Sequence, residues 1–425
     1  MKQFHKYMLF WASQSISQLG SAMTSFALIL WTYEQKHSAM AVSLMSFCNY
    51  IPFILVSLIA GSFVDKHNKK AIMLLADSIA AICSLGVLVL SFGGNLQVWN
   101  IYVVNLIIGI MNAFQQPASA VAIGRIVPQE KISRVSGMNS FSGNLTNVLS
   151  PVLSAFLFSF GGLKIILMID LASFLIAFLT LACVIHIPEE KSEVHQQTIF
   201  AGAKEGLRFL EHEKGILYIM LTMALINFFS RLTYENILSP MILARSNGSN
   251  ETLGIVNAIM GAGGIAGGLI VSFKKAAKKN VKMIYFSAAF SFLFGDILMA
   301  VGRNAFLWSL AGVAASLPIP FIQAGQNVIL YSKIPKEMQG RVFAVRNAIQ
   351  YGTIPFGILL GGFLADYVFE PFMKSNHWSA DYIRMIVGTS DGAGMAIMFL
   401  MTGICGFLIS CFAYKIPEIR RLDKS

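Results

Sequence analysis

Gln116-Pro-Ala-Ser-Ala-Val-Ala-Ile-Gly-Arg-Ile-Val-Pro-Gln-Glu-Lys-Ile-Ser-Arg-Val135 comes back 207 residues later as Gln323-Ala-Gly-Gln-Asn-Val-Ile-Leu-Tyr-Ser-Lys-Ile-Pro-Lys-Glu-Met-Gln-Gly-Arg-Val342. Gln116 aligns with Gln323, Val121 with Val328, Pro128 with Pro335, Glu130 with Glu337, Arg134 with Arg341 and Val135 with Val342. The same offset puts Gly61 on Gly268, Phe156 on Phe363 and Leu157 on Leu364. One offset held over so much chain marks a duplicated structural unit.

Composition says what the unit is made of. Of 425 residues, 56% are hydrophobic and 12% charged, against about 25% charged in a typical soluble domain. Apolar runs broken by charge give approximate spans at 7–33, 40–63, 71–93, 99–123, 137–160, 163–186, 215–240, 252–273, 283–302, 305–331, 343–366 and 391–414. Each is long enough to cross a hydrocarbon core of about 30 Å as a helix. The first is too long and too rich in Gln and Ser, and lacks a small-residue cleavage site, for a removable signal peptide. The expected fold is therefore an all-α membrane protein of about twelve transmembrane helices in two pseudo-symmetric six-helix bundles.

The longest polar break, Ile187 to Lys214, divides the spans six and six and holds a predicted amphipathic helix from Phe200 to Glu213. Three segments are predicted: an N-terminal bundle over 1–186, a cytoplasmic linker over 187–214 and a C-terminal bundle over 215–425. Six crossings separate the copies, an even number, so both enter the membrane in the same direction. That is the parallel arrangement in which substrate binds at the midplane between halves. On the side of both termini the connections carry 25 Lys and Arg, against 6 on the other side. This asymmetry places both termini in the cytoplasm of a bacterial inner membrane.

The net charge of +11 is spread between apolar spans rather than over one soluble face, so nucleic acid is not an expected partner. Cys48, Cys83, Cys183, Cys405 and Cys411 all lie in apolar segments with no CxxC and no His pair nearby, which leaves neither a disulfide framework nor a metal site.

The loop Gly61-Ser-Phe-Val-Asp65-Lys66-His-Asn-Lys69-Lys70 resembles the signature loop of the major facilitator superfamily. It departs at Asn68, where the family usually has a second Gly, and a turn at positive φ is expected there because Asn tolerates it. In the second copy Ser272 stands where Asp is expected. The resemblance implies that Asp65 accepts hydrogen bonds from the start of span eleven, near Arg341, as a latch on the inner side. Gly61, Lys66, Lys69 and Lys70 complete that gating group. A helix N-terminus attracts a carboxylate through its free N–H groups and partial positive charge.

Within the superfamily the chain looks most like the macrolide-efflux branch of bacterial drug:proton antiporters. That rests on the loop, Ala76-Asp77, Gln116-Pro117-Ala118, Val127-Pro128-Gln-Glu130, Ile169-Asp170 and Pro335 to Arg341. The Gly-Pro and paired glycines that antiporters often carry in span five are only half present, as Ser150-Pro151-Val-Leu-Ser154-Ala155, while the second half has Gly357, Gly361 and Gly362.

A charge kept in mid-membrane costs several kcal/mol and is by default a functional candidate with a partner to find. Five stand out for proton coupling. Arg231 and Glu235 lie four apart on one face of span seven and are expected to pair; the pair is either a proton-dependent switch or a static ion pair. Asp170 in span six is either a proton acceptor or a group facing an outward water-filled cleft. Asp77 in span three is expected to find a basic residue of the signature loop. Asp296 in span nine lies in the cavity or near the outer edge and is read as structural. Gln14, Gln18, Asn49, Gln115, Gln116, Asn227, Gln323 and Gln326 are candidates to bind substrate in the cavity or, equally, to hold helices together at about 0.6 kcal/mol each.

No GxxxxGK[ST] loop is present, so ATP is not the direct driver. One charge moved through roughly 150 mV supplies about 3.5 kcal/mol, enough for a gradient of a few hundredfold. The sequence is thus read as a monomeric, cofactor-free, proton-coupled exporter of amphipathic small molecules, macrolide-like drugs among them, embedded in the lipid bilayer. A siderophore or metabolite exporter and a lysolipid flippase are alternatives on the same fold. An intramembrane enzyme or a receptor is disfavoured, since GxSxG, HExxH and a large external domain are lacking. The segment from Asp366 to Asp391, the one sizeable outer connection, is expected to close over or beside the cavity.

Overall fold

The computed structural model describes residues 2–127, 132–185, 187, 199–273 and 279–423. Among them there is no strand. That is what hydrocarbon demands, because a helix satisfies all its backbone groups internally and an open sheet edge does not. Ten stretches of the described residues are long and apolar enough to cross a membrane. One of them, Phe141–Val184, has 44 residues and is folded back at Gly162, φ 62° and ψ −159°, so it supplies two crossings. With the 35-residue helix Lys2–Lys36 the count comes to about twelve. The chain is a multi-pass membrane protein. Its outer surface carries large apolar side chains such as Leu55, Ile82, Phe160, Phe306 and Phe412, an arrangement that only lipid makes favourable.

The described chain groups into two compact units. The first comprises 1–37 and 44–194 and is built from α1 (Lys2–Lys36), α2 (Ala39–Lys66) apart from its first turn, which groups with the second unit, α3 (Lys69–Phe92), α4 (Val98–Ile126) and α5 (Ile132–Leu179), which ends in a π-helical turn at Thr180–Val184. Its core gathers Tyr7, Phe10, Met73, Ala118, Ile126 and Leu181. The second comprises 38–43 and 195–425. It contains α6 (Ile199–His212), α7 (Lys214–Tyr234), α8 (Leu238–Arg245), α9 (Asn250–Phe273), α10 (Asn280–Phe290), a π-helical turn at Ser291–Asp296 and α11 (Ile297–Val301). Then come α12 (Ala305–Ser316), α13 (Ile319–Lys333), α14 (Lys336–Gly352), α15 (Ile354–Phe363), a π turn at Leu364–Phe369, α16 (Glu370–Lys374), α17 (Trp378–Val387), α18 (Ala393–Lys415) and α19 (Pro417–Arg421).

Leu210 of α6 packs with Ile216, Met220, Leu330, Ile334 and Val342, which ties that helix to α7, α13 and α14. Two spans are interrupted beside a proline. Pro318 sits at the break between α12 and α13 and Pro355 just after that between α14 and α15, where a missing N–H costs nothing.

One expectation about local structure is corrected. Asn68 does not take positive φ: it is the N-cap of α3, φ −63°, and its side chain accepts from Ala71 N, the commoner use of Asn before a helix. In the outer connection after Asp366, the π turn, α16 and α17 fill most of the chain.

Candidate functional site

Asp170 lies on the second arm of α5 and is 5% exposed. Its Oδ1 accepts from Ser21 Oγ at 3.0 Å. Its Oδ2 accepts from Thr24 Oγ1 at 3.0 Å and from Ser84 Oγ at 3.1 Å. Ser21 and Thr24 are three apart on α1, hence on one face, and Ser84 comes from α3. Gly20 makes the approach of α5 to α1 possible, since a Cβ there would lie 2.5 Å from Ser173 Oγ and 3.2 Å from Asp170 Oδ1. The alternative of a carboxylate facing a water-filled cleft is therefore wrong: Asp170 is packed inside its unit, and hydroxyls take the place of water.

Asp296 repeats the arrangement in the second unit with roles exchanged. It ends the π turn of span nine, is 1% exposed, and accepts from Tyr234 Oη at 3.0 Å and Thr402 Oγ1 at 2.7 Å. Gly403 leaves the room, its missing Cβ being 3.0 Å from Asp296 Cβ. In the first unit the acid is on that unit's sixth span, with donors on its first and third. In the second the acid is on the third span, with donors on the first, Tyr234, and the sixth, Thr402. Both units thus hold one buried carboxylate where the same three helices meet.

The donors around each acid are neutral hydroxyls. A hydroxyl can donate to a carboxylate and can also accept from a carboxylic acid, so these two sites can hold either protonation state with their partners in place. The contrast is with Arg231 and Glu235. They make the expected ion pair, with side chains 39% and 23% exposed, and a guanidinium cannot give up its proton.

Asp77 accepts from Gln115 Nε2 at 2.6 Å. Among the described residues its partner is this amide rather than a base of the signature loop; α4 packs along α3 and brings Gln115 to it. Lys70 instead donates to Ala182 O and Ile185 O, both at 2.8 Å, closing the end of span six as a cation at a helix C-terminus does. Lys69 is buried. The side chains of Gly61, Asp65, Lys66 and Arg341 lie outside the described ones, as do residues Pro128 and Glu130.

Of the uncharged candidates, Asn49 donates to Asn105 O at 3.3 Å where Gly109 brings α4 against α2, a clamp between helices. Gln14 and Asn227 are half-buried, Gln326 is buried, and Gln18, Gln116 and Gln323 are exposed. The amide nitrogens of Gln14 and Gln326 have no hydrogen-bond partner among the described residues.

The sequence reading missed Ser21, Thr24, Ser84, Tyr234 and Thr402, and also Asp366. Asp366 accepts from Ser38 Oγ at 2.6 Å, Ala39 N at 3.1 Å and Met40 N at 2.9 Å, covering the first turn of α2. Asn236 donates to Ser43 Oγ and to Ile358 O, and Gly362 leaves space for Met40 and Ser43. Ser38 before Ala39 reads as a helix N-cap, but nothing local points to its partner 328 positions away.

Comparison with known proteins agrees with this architecture. Residues 3–372 match the family model described as transmembrane secretion effector. Macrolide efflux protein A of Streptococcus pyogenes is 27% identical, covering 98% of this chain and 97% of that protein. Multidrug efflux pump Tap of Mycolicibacterium fortuitum is 22% identical over 95% of this chain and 94% of that one. Among solved structures, an inward-facing bacterial homologue of the iron transporter ferroportin superposes with TM-score 0.69 at 12% identity, covering 97% and 99% of the two chains. An inward-facing bacterial homologue of the lysosomal transporter Spinster gives 0.68 at 12% identity over 99% and 97%. At such identities these two show the fold alone.

Proposed function

This chain belongs to the transmembrane secretion effector family of the major facilitator superfamily, membrane transporters and not enzymes, and on that premise we propose that it exports amphipathic, macrolide-like molecules in exchange for protons. Asp170 is the primary proton carrier, with Asp296 its counterpart in the other unit. The observation that carries this reading is the company Asp170 keeps: three neutral hydroxyl donors, near-complete burial and no cation among the described residues. A buried carboxylate held by a base is committed to its charge; one held by hydroxyls is free to change it. Glu235, paired to Arg231, is the second coupling candidate.

The substrate class follows from the two efflux relatives. Supporting it, Gln18, Gln116 and Gln323 are exposed on otherwise apolar spans. Amide groups are costly against hydrocarbon, which favours a water-accessible surface for them. The Lys and Arg asymmetry supports cytoplasmic termini and a bacterial inner membrane as the bilayer in this reading.

The test is efflux of a substrate panel, macrolides, a siderophore and a lysolipid included, from vesicles with and without an uncoupler. Wild type should export macrolides uphill only with a proton gradient. Asp170→Asn should lose uphill export yet keep downhill exchange. Uphill export by Asp170→Asn at the wild-type rate would remove Asp170 as carrier, and loss confined to Glu235→Gln would move that role to Glu235.

A further inference from the structure

Span five turns into span six at Gly162 alone, whereas the corresponding connection in the second unit, between Lys374 and Ala393, contains an additional helix, α17. Its place is set by contacts at span ends. Arg245, the last residue of one span, donates to Ala300 O, next to the end of another, at 3.0 Å and to Val387 O, the end of α17. Arg384 in α17 donates through Nε to Met373 O at 3.0 Å and through Nη2 to Met373 O at 2.7 Å and to Ser375 O. Glu370 accepts from Met395 N at 3.2 Å. The helix is thus fastened at the level where four spans, ending at Arg245, Val301 and Lys374 and starting at Ala393, leave the membrane core. It lies across those ends and does not project away from them.

Its two faces differ. Ala380 and Val387 are fully buried against the unit. Trp378, Tyr382, Met385 and Ile386, at positions i, i+4, i+7 and i+8, share the opposite face and are 69%, 64%, 75% and 49% exposed. Trp378 and Tyr382 meet edge to face with ring centroids 6.1 Å apart. Tyr367 and Val368, seven and six residues before Lys374 at the end of span eleven, are exposed as well. The exposed charges nearby, Lys374 paired with Asp391 at 3.4 Å and Asp381, sit at the ends or flank of α17 rather than within that face. Aromatic residues with one apolar and one polar edge, beside charges at span ends, are the composition of a membrane–water boundary.

We infer that α17 is an interfacial helix, lying in the lipid headgroup region on the membrane face opposite the C-terminus, with Trp378, Tyr382, Met385 and Ile386 inserted into lipid. The helix of the segment expected to close over or beside the cavity then anchors the second unit's span ends in the bilayer.

The experiment uses the full chain with its five native cysteines replaced, reconstituted in vesicles of phosphatidylethanolamine and phosphatidylglycerol. Met385→Cys, Tyr382→Cys and, as a control, Thr389→Cys, an exposed position beyond the helix, are labelled with an environment-sensitive fluorophore. Labels at 385 and 382 should emit at shorter wavelength than the label at 389. They should be quenched at least twofold more by lipids with a nitroxide near the headgroup than by those with it near the chain end, and be shielded from aqueous iodide. Water-like emission with iodide quenching at both positions overturns the inference, because the face is then in solvent. Shielding from iodide and nitroxide alike also overturns it, because protein, a second copy included, then covers the face.

Discussion

Thr24→Val removes one hydroxyl from Asp170 while keeping nearly the same side-chain shape, and its effect can be worked out from the three bonds present. A hydrogen bond to a charged group contributes about 1.5–3 kcal/mol and one between neutral groups about 0.5–1.5; between membrane helices the average is nearer 0.6, with a maximum of about 1.7. Losing Thr24 Oγ1, 3.0 Å from Oδ2, therefore disfavours the carboxylate over the carboxylic acid by about 1 kcal/mol. At about 1.36 kcal/mol per pH unit, the pH at which uphill export is half-maximal should rise by roughly 0.7. Ser84→Ala, acting on the same oxygen, should raise it similarly, whereas Asp170→Asn should leave no uphill export to titrate. The assay is the initial rate of macrolide uptake into everted vesicles across a series of bath pH values at a fixed gradient. If Thr24→Val lowers the rate uniformly and leaves the midpoint in place, the hydroxyl is packing only and the reasoning about protonation fails.

Three further perturbations have outcomes set by geometry. Gly162→Ala puts a Cβ on backbone at φ 62° and ψ −159°, a region essentially reserved for glycine, and should cost about 1–3 kcal/mol, visible as a lower unfolding temperature of the purified protein in detergent. Lys70→Met leaves Ala182 O and Ile185 O without their donor; a loss of about 1–3 kcal/mol in the same assay is expected, with Lys70→Arg restoring most of it. Asp366→Asn keeps the shape but gives up the charge at the first turn of α2, and a cysteine placed at Ala39 should become more reactive to a membrane-impermeant maleimide. Unchanged labelling would mean that Ser38 alone caps that turn.

The spans, the reversal at Gly162 and the paired Arg231 and Glu235 were legible because each depends on residues close in sequence: an apolar run, a glycine between two runs, an i, i+4 spacing. What was not legible depends on which helices are neighbours. Ser21, Thr24, Ser84 and Thr402 are ordinary side chains in any membrane helix, and they gain meaning only when the fold brings them to Asp170 and Asp296. The same gap explains the misassigned partner of Asp77: charge suggested a nearby base, while packing of α3 on α4 supplied Gln115. The repeat did not reveal the two carboxylate sites either, because they occupy exchanged helices and so share no offset. Asn68 went astray through the resemblance itself, which substituted a glycine's backbone freedom for the N-cap that Asn makes by its own side chain.

Proton exchange at Asp170 is tested most directly without a membrane. A macrolide is added to the purified protein in weakly buffered detergent solution containing a pH-indicator dye. Wild type should release protons as it binds, and Asp170→Asn, which still binds, should release none. Equal release from both proteins, or binding by wild type with no release at all, would contradict the account.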